Sequence, residues 1–382
     1  MIKKYFVDLF QRFKKSSITT KVLIGVFLLF YGFFFAISVI PSNYVIVTPG
    51  AINNTIYSVY VDTLNSRGTI CTVGVYEYIR PSILQSWIGK AENEMNISQF
   101  DPETDLSEEE DTIYGIISKK AGINNAIIVA YEKAQKEGVI INEKPVNLIK
   151  NYEGILVRAI EKRAETDLKC DDIITGVEVD GKIEVFSNLQ EFKELAFKDC
   201  DKKEYVTLQI KKGDTTGIVT CNYLKEINKD GETQYSLPFS PLDYYTVDGA
   251  NSYPKFQIID DYSSIGSSGS SLLTLSIYNA LLEGDITCVM INDVKTQLRI
   301  TGTGSIDFNG NIGKIGGVKQ KVLTAYLNKA DVFFVDEGDY LDAVSALDKY
   351  DIPENKLNII KVKTFDEMVD TLRNYGELYG NK

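Results

Sequence analysis

The sequence predicts a multidomain α+β protein behind a single transmembrane helix. Three observations predict this. Residues 22–40 form a run of 19 without a charge. Stretches of alternating or β-branched residues follow it, as strands require. The last third of the chain alternates strand-like and helix-like patterns, the mark of an α/β arrangement. A chain of 382 residues is long enough for two or three cores.

The first element is the apolar run. Nineteen helical residues span roughly 28 Å at about 1.5 Å each, close to a bilayer's hydrocarbon core. Residues 1–21 carry Lys3, Lys4, Arg12, Lys14, Lys15 and Lys21 against Asp8 alone, a net of +5. The chain totals −12, so the remainder sums to −17. The basic flank is expected in the cytoplasm and everything after Ile40 outside. A cleaved signal peptide is the competing reading, because Ala36-Ile37-Ser38 has a small-x-small form; the long run and long basic region favour a retained anchor.

Composition narrows the chemistry. There is no histidine, which excludes Ser-His-Asp and Cys-His catalysis and histidine-based zinc sites. The acidic balance argues against nucleic acid as a partner. Five cysteines (Cys71, Cys170, Cys200, Cys221, Cys288) show no CxxC spacing. They read as buried small apolar residues, with a bridge from Cys170 to Cys200 or Cys221 left open. No cofactor or metal is expected.

Beyond the anchor, strands are expected around residues 56–61 and 69–75. The acidic residues 101–111 read as a loop or a helix start, and a helix is expected over 112–136, containing Asn125-Ala-Ile-Ile-Val-Ala-Tyr131 and stopped by Gly138. Residues 143–225 have another character: a strand at 154–157, a strand from Asp172 ending in the Asp180-Gly181 turn, a helix over 188–196 capped by Ser187 or Asn188, and a hairpin at 205–211 and 216–221. This order resembles a PDZ domain. The resemblance implies an open groove between Ile155, Leu156, Val157 and the 188–196 helix, where a peptide adds as a strand. Asp171-Asp172 stands where the PDZ pattern has Gly-Asp. Residues 226–255, polar and holding Pro238, Pro241 and Pro254, read as an inter-domain connection.

The rest carries the chemistry. A small-residue turn, residues 263–271, precedes an apolar helix over 272–282, a place where free amides meet a developing oxyanion. Thr301-Gly-Thr-Gly-Ser-Ile-Asp307 is followed by Gly316-Gly-Val-Lys-Gln-Lys321. Strand–helix pairs are expected at 330–335 and 340–347, then 357–362 and 365–372.

On these residues the chain resembles the PDZ-containing, membrane-anchored branch of the Lon peptidase family over nearly its whole length. The resemblance implies a cytoplasmic tail (1–21), a transmembrane helix (22–40), a mixed α/β N-terminal ectodomain (41–142), a PDZ-like domain (143–225) and a Lon-type α/β proteolytic domain (226–382). It implies Lys321 as catalytic base and Thr303 as its hydrogen-bonding partner. Aligned through Ile277-Tyr278-Asn279, the family's nucleophilic serine falls on Ser268, with Ser267, Gly269 and Ser270 departing from the usual pattern. Anchored instead on Ile265-Gly266, the position falls on Gly269 and no nucleophile remains. The backbone amides at Ser268 and Gly269 would hold the oxyanion. Lysine ordinarily titrates near 10.4, so a base working at about 8 needs roughly 3 kcal/mol against its charged form.

The sequence has no G-x-x-x-x-G-K-[ST] phosphate loop. The expected activity is therefore ATP-independent serine endopeptidase action on extended or unfolded protein segments outside the cytoplasm. Expected partners are protein or peptide substrates, the membrane and, from the resemblance, a homo-oligomeric ring. The alternative is an inert, membrane-tethered PDZ peptide-binding scaffold. About seven residues beyond the family pattern, near 288–294, would alter substrate access.

Overall fold

A computed structural model describes residues 11–55, 58–63, 70–213, 215–228, 231–259 and 264–379. Ser263, Ile56 and Thr69, where expected segments began, lie outside these. The chain divides into two compact units, Met1–Val47 with Glu77–Asp101, and Thr48–Tyr76 with Pro102–Lys382.

In the first unit, helix α1 spans Ile18–Val39, four residues earlier than the apolar run, because the Ser17 side chain caps it by accepting from the Thr20 amide. Its apolar side chains are almost all exposed, and it is long and apolar enough to cross a membrane. Tyr44 to Val47 pairs antiparallel with Asn96–Gln99. Helix α2, Ile83–Ala91, begins at a Ser82–Gln85 capping box.

The second unit is built on helix α3, Glu108–Lys136. It starts four residues ahead of the expected 112, because Ser107 and Glu110 form a capping box and four acidic residues occupy the first turn. Strands Ile300–Gly302, Val332–Asp336 and Asn358–Val362 form a parallel sheet in that order. Helices α6, Val318–Leu327, and α7, Tyr340–Lys349, make the two crossovers. Helix α3, helix α5 (Ser270–Leu281) and helix α8 (Phe365–Arg373) cover one side of this sheet; Ile127, Tyr131, Leu275, Tyr278, Phe334 and Phe365 share one buried cluster. Helices α6 and α7 cover the other side through Val322, Phe333, Val335 and Ala343. The segments expected as a separate ectodomain (41–142) and proteolytic domain (226–382) thus contribute to one core, which periodicity alone does not reveal.

An antiparallel sheet is inserted between them, in the order Thr215–Asn222, Tyr205–Lys212, Ile173–Val179, Lys150–Ile160, Phe239–Val247, with Lys182–Glu184 paired to Ile173–Val179. Helix α4, Leu189–Ala196, is capped by Asn188 and packs on it through Phe192. Asp171 takes a left-handed φ of 72° where the PDZ pattern has glycine; aspartate tolerates that region.

Among the described residues no open groove runs along Ile155, Leu156 and Val157. Ile155, Leu156 and Val157 are fully buried. Their strand edge is taken by Phe239–Val247, with Pro241 opposite Val157, Leu242 opposite Leu156 and Asp243 opposite Ile155. The Asp243 carboxylate accepts from the Leu189 amide at the start of α4, and the Phe239 and Phe192 rings lie 6.4 Å apart. The segment read as a connection is thus the strand that fills the groove, and the sheet extends past residue 225. All five cysteines are free, and burial pushes the Cys221 thiol up to about 11.

Candidate active site

Thr303 follows the carboxyl end of the Ile300–Gly302 strand, where α/β sheets commonly place ligands. Its amide donates to the Phe334 carbonyl at 2.8 Å. Its hydroxyl donates to the Ser268 carbonyl at 3.1 Å and accepts from Lys321 Nζ at 3.2 Å. Lys321 lies in the first turn of α6, which Gly317 opens with a left-handed φ of 69°. Lys321 is 3% exposed, and the Thr303 hydroxyl is one of the groups its amine meets.

The turn before α5 is pinned by Thr303, by Gly304 and by α3. Gly304 N donates to the Ser268 carbonyl at 2.7 Å, and Ser271 N donates to the Gly304 carbonyl at 3.2 Å. A Cβ on Gly304 would lie 2.6 Å from Ile312 and 3.3 Å from Ser271 Oγ, so only glycine permits this approach. The third support is α3. Gly266 N donates to the Gly115 carbonyl at 2.9 Å, and Lys119 Nζ donates to the Ser264 carbonyl at 2.8 Å. Gly122 leaves room for Ser267 and Ser270, whose Cβ atoms would lie 3.1 and 3.3 Å from an added methyl. Gly115, Lys119 and Gly122 stand at i, i+4 and i+7, a single helix face. Sequence reasoning missed this face, although glycines at that spacing inside a long helix were its available signal.

The serines divide by environment. Ser270 is 5% exposed, and its hydroxyl donates to the Ser267 carbonyl at 2.7 Å and accepts from the Ile306 amide at 2.9 Å. That group is structural. Ser271 is fully buried, and its Oγ has no hydrogen-bond partner among the described residues. Ser268 is half-buried, and among the described residues its hydroxyl and amide, like the amide of Gly269, make no hydrogen bond. Thr303 joins the Lys321 amine to the Ser268 backbone carbonyl, whereas Ile155, Leu156 and Val157 belong to the inserted sheet's core. An open groove runs along Ser268, lined by Asn53, Thr55, Thr72, Gly74, Ile123 and Leu273 among others. The residues near 288–294 form the hairpin Cys288–Ile291 with Val294–Gln297, and they are not part of that lining.

The Asn125–Tyr131 motif has a mechanical role. Asn125 Nδ2 donates to the Ile306 carbonyl at 3.0 Å and Tyr131 hydroxyl to the Pro254 carbonyl at 2.9 Å, fixing two chain segments on α3.

No family model matches the chain. A Lon protease of Ureaplasma parvum serovar 3 is 29% identical over 166 residues, 43% of this chain and 19% of that protein. The archaeal Lon protease of Methanocaldococcus jannaschii is 29% identical over 130 residues, 34% of this chain and 17% of its own. The chain spans less than a fifth of the length of these relatives. The partial matches support a Lon-like protease relationship, and hence a peptidase at the level of the family.

Proposed function

We propose that this chain is an ATP-independent, membrane-anchored serine endopeptidase that cuts extended or unfolded protein segments by a Ser268–Lys321 dyad. The observation that carries the reading is the buried Lys321 amine, joined through Thr303 to the backbone of Ser268. A neutral Lys321 would take the Ser268 proton as Oγ attacks the scissile carbonyl, then return it to the departing amine. Burial favours the neutral amine, because it removes the water that stabilises an ammonium. The unpaired amides of Ser268 and Gly269 would receive the oxyanion. Water then hydrolyses the acyl-enzyme with Lys321 as base again.

The remaining parts rest on the sequence and α1. With no phosphate loop in this sequence, the substrate must arrive already extended. The basic tail places the N-terminus in the cytoplasm and the groove on the opposite side. The PDZ-like segment, its edge filled by Phe239–Val247, would brace the core rather than present peptides. A pure peptide-binding scaffold loses its supporting feature for the same reason.

The test is degradation of casein and of an unfolded membrane protein by the full chain in detergent, comparing wild type with Ser268→Ala, Lys321→Ala and Ser270→Ala. Ser268→Ala and Lys321→Ala should each abolish turnover while remaining folded. Ser270→Ala should retain activity with reduced stability. Equal turnover in wild type and Lys321→Ala would sink the dyad.

A further inference from the structure

Helix α2 is inverted with respect to its own unit. Its buried residues are the small Ser86 and Gly89. A Cβ on Gly89 would lie 2.8 Å from Ile46 Cδ1, and Ser86 shares a hydrogen bond with Ser42. The apolar residues face outward instead. Trp87 is 52% and Ile88 49% exposed, Leu84 is partly exposed and Ala91 is exposed. Positions 84, 87, 88 and 91 form a stripe along one face, the spacing of an amphipathic helix. A helix this short gains nothing by showing that stripe to water.

Its place in the chain identifies what covers it. Ile83 N donates to the Ile40 carbonyl at 3.0 Å, and Ser42 N donates to the Pro81 carbonyl at 2.7 Å. These residues directly follow α1, which ends at Val39. Helix α2 is therefore tied to the point where an apolar 22-residue helix would leave the bilayer. At that depth lie headgroups and upper acyl chains, the layer that tryptophan prefers. Lys90, exposed in the last turn and 3.9 Å over the Tyr44 ring, supplies a cation at headgroup level.

We infer that α2 is an interfacial helix, lying in the bilayer surface beside the exit of α1 with Leu84, Trp87, Ile88 and Ala91 facing lipid. This rests on the reading of α1 as a membrane span. It would fix the unit by two points and so restrict its rotation about the anchor.

Trp87 is the chain's only tryptophan, so its fluorescence reports on this helix alone. The full chain is reconstituted in phosphatidylcholine–phosphatidylglycerol vesicles, with bromine on the lipid acyl chains at shallow or deep positions. Blue-shifted emission, quenched most by the shallow bromines, is the expected result. Ile88→Ser should lower that quenching roughly twofold. Alkaline extraction, run in parallel, tests α1 separately. Protein that resists extraction yet shows unquenched Trp87 overturns the inference and leaves the span. Quenched Trp87 in protein that alkali removes refutes the span and, with it, the placement of α2 beside the exit of α1. Blue-shifted but unquenched emission, with crosslinking between chains at position 88, assigns the stripe to a second copy and also overturns it.

Discussion

Thr303 Oγ1 has one proton and gives it to the Ser268 carbonyl, so toward Lys321 it can only accept. It therefore holds the lysine amine and the serine backbone in one hydrogen-bonded line. Thr303→Val keeps the shape and deletes that link, while Gly304 N still holds the Ser268 carbonyl. Degradation should fall about 10²-fold with KM little changed, as small misplacements of reacting groups do. The stability loss should be only about 1 kcal/mol. Thr303→Ser should restore most of the rate. Unchanged kcat in Thr303→Val would show that Lys321 is positioned by other contacts. These residues were legible because glycines and a lysine pair at fixed spacing mark a backbone crossing that few other arrangements need. Which serine carries a free hydroxyl was not legible, because Ser267, Ser268, Ser270 and Ser271 differ only in what packs around them.

Helix α3 works with two faces. Gly115, Lys119 and Gly122 support the turn that holds Ser268, while Ile117 and Ala121 pack on Leu156 and Tyr244 of the inserted sheet. Gly122→Ala would gain about 1 kcal/mol of helix propensity. The added methyl must nevertheless push Ser267 and Ser270 by a few tenths of an ångström. The expected outcome is a melting temperature near wild type with at least a tenfold loss of kcat. Unchanged activity would mean that the turn adapts freely. At its other end α3 is locked by Glu137, which accepts bidentate bonds from Arg373 at 3.0 and 2.8 Å. Arg373 first, then Tyr278 and Lys133, hold its carboxyl down to about 2 from 4.5, against partial desolvation. A depressed carboxyl stabilises the fold above the unfolded value and loses that contribution as pH falls toward the folded one. Stability should therefore drop by at most about 3 kcal/mol between pH 4.5 and 2 from this group. Urea denaturation of Glu137→Gln should show a flatter acid limb, and an identical limb would refute the assignment. The body of α3 was legible from its periodicity, but its start depended on a capping box. The strand at Phe239–Val247 was read as a connection because Pro241 usually forbids a central strand. The sheet tolerates it beside a bulge between Phe239 and Pro241, at the last strand of the order.

Within the larger unit the inserted sheet packs on α3, and its two ends come together at one place. Asn147 and Tyr253 exchange backbone hydrogen bonds at 2.7 and 2.8 Å, and Asp248 N donates to the Ile149 carbonyl at 2.9 Å. Both ends of the insertion therefore meet, the geometry that lets a segment be added or removed without breaking a core. The parallel sheet, the groove along Ser268 and the Lys321–Thr303–Ser268 line all lie outside it. Replacing residues 151–246 by a short Asn-Gly turn would expose Ile117 and Ala121 and remove the Tyr245 carbonyl from Asn124. Those losses amount to roughly 3 kcal/mol. A protein of this size should survive them with one cooperative thermal transition, and it should still degrade casein, more slowly to the extent that α3 loses its brace. If the shortened chain melts without cooperativity, the sheet is part of the catalytic core and the place where its ends meet is no boundary. If it folds but degrades casein faster than the full chain, the sheet restrains the groove, and Phe239–Val247 becomes the element through which that restraint acts.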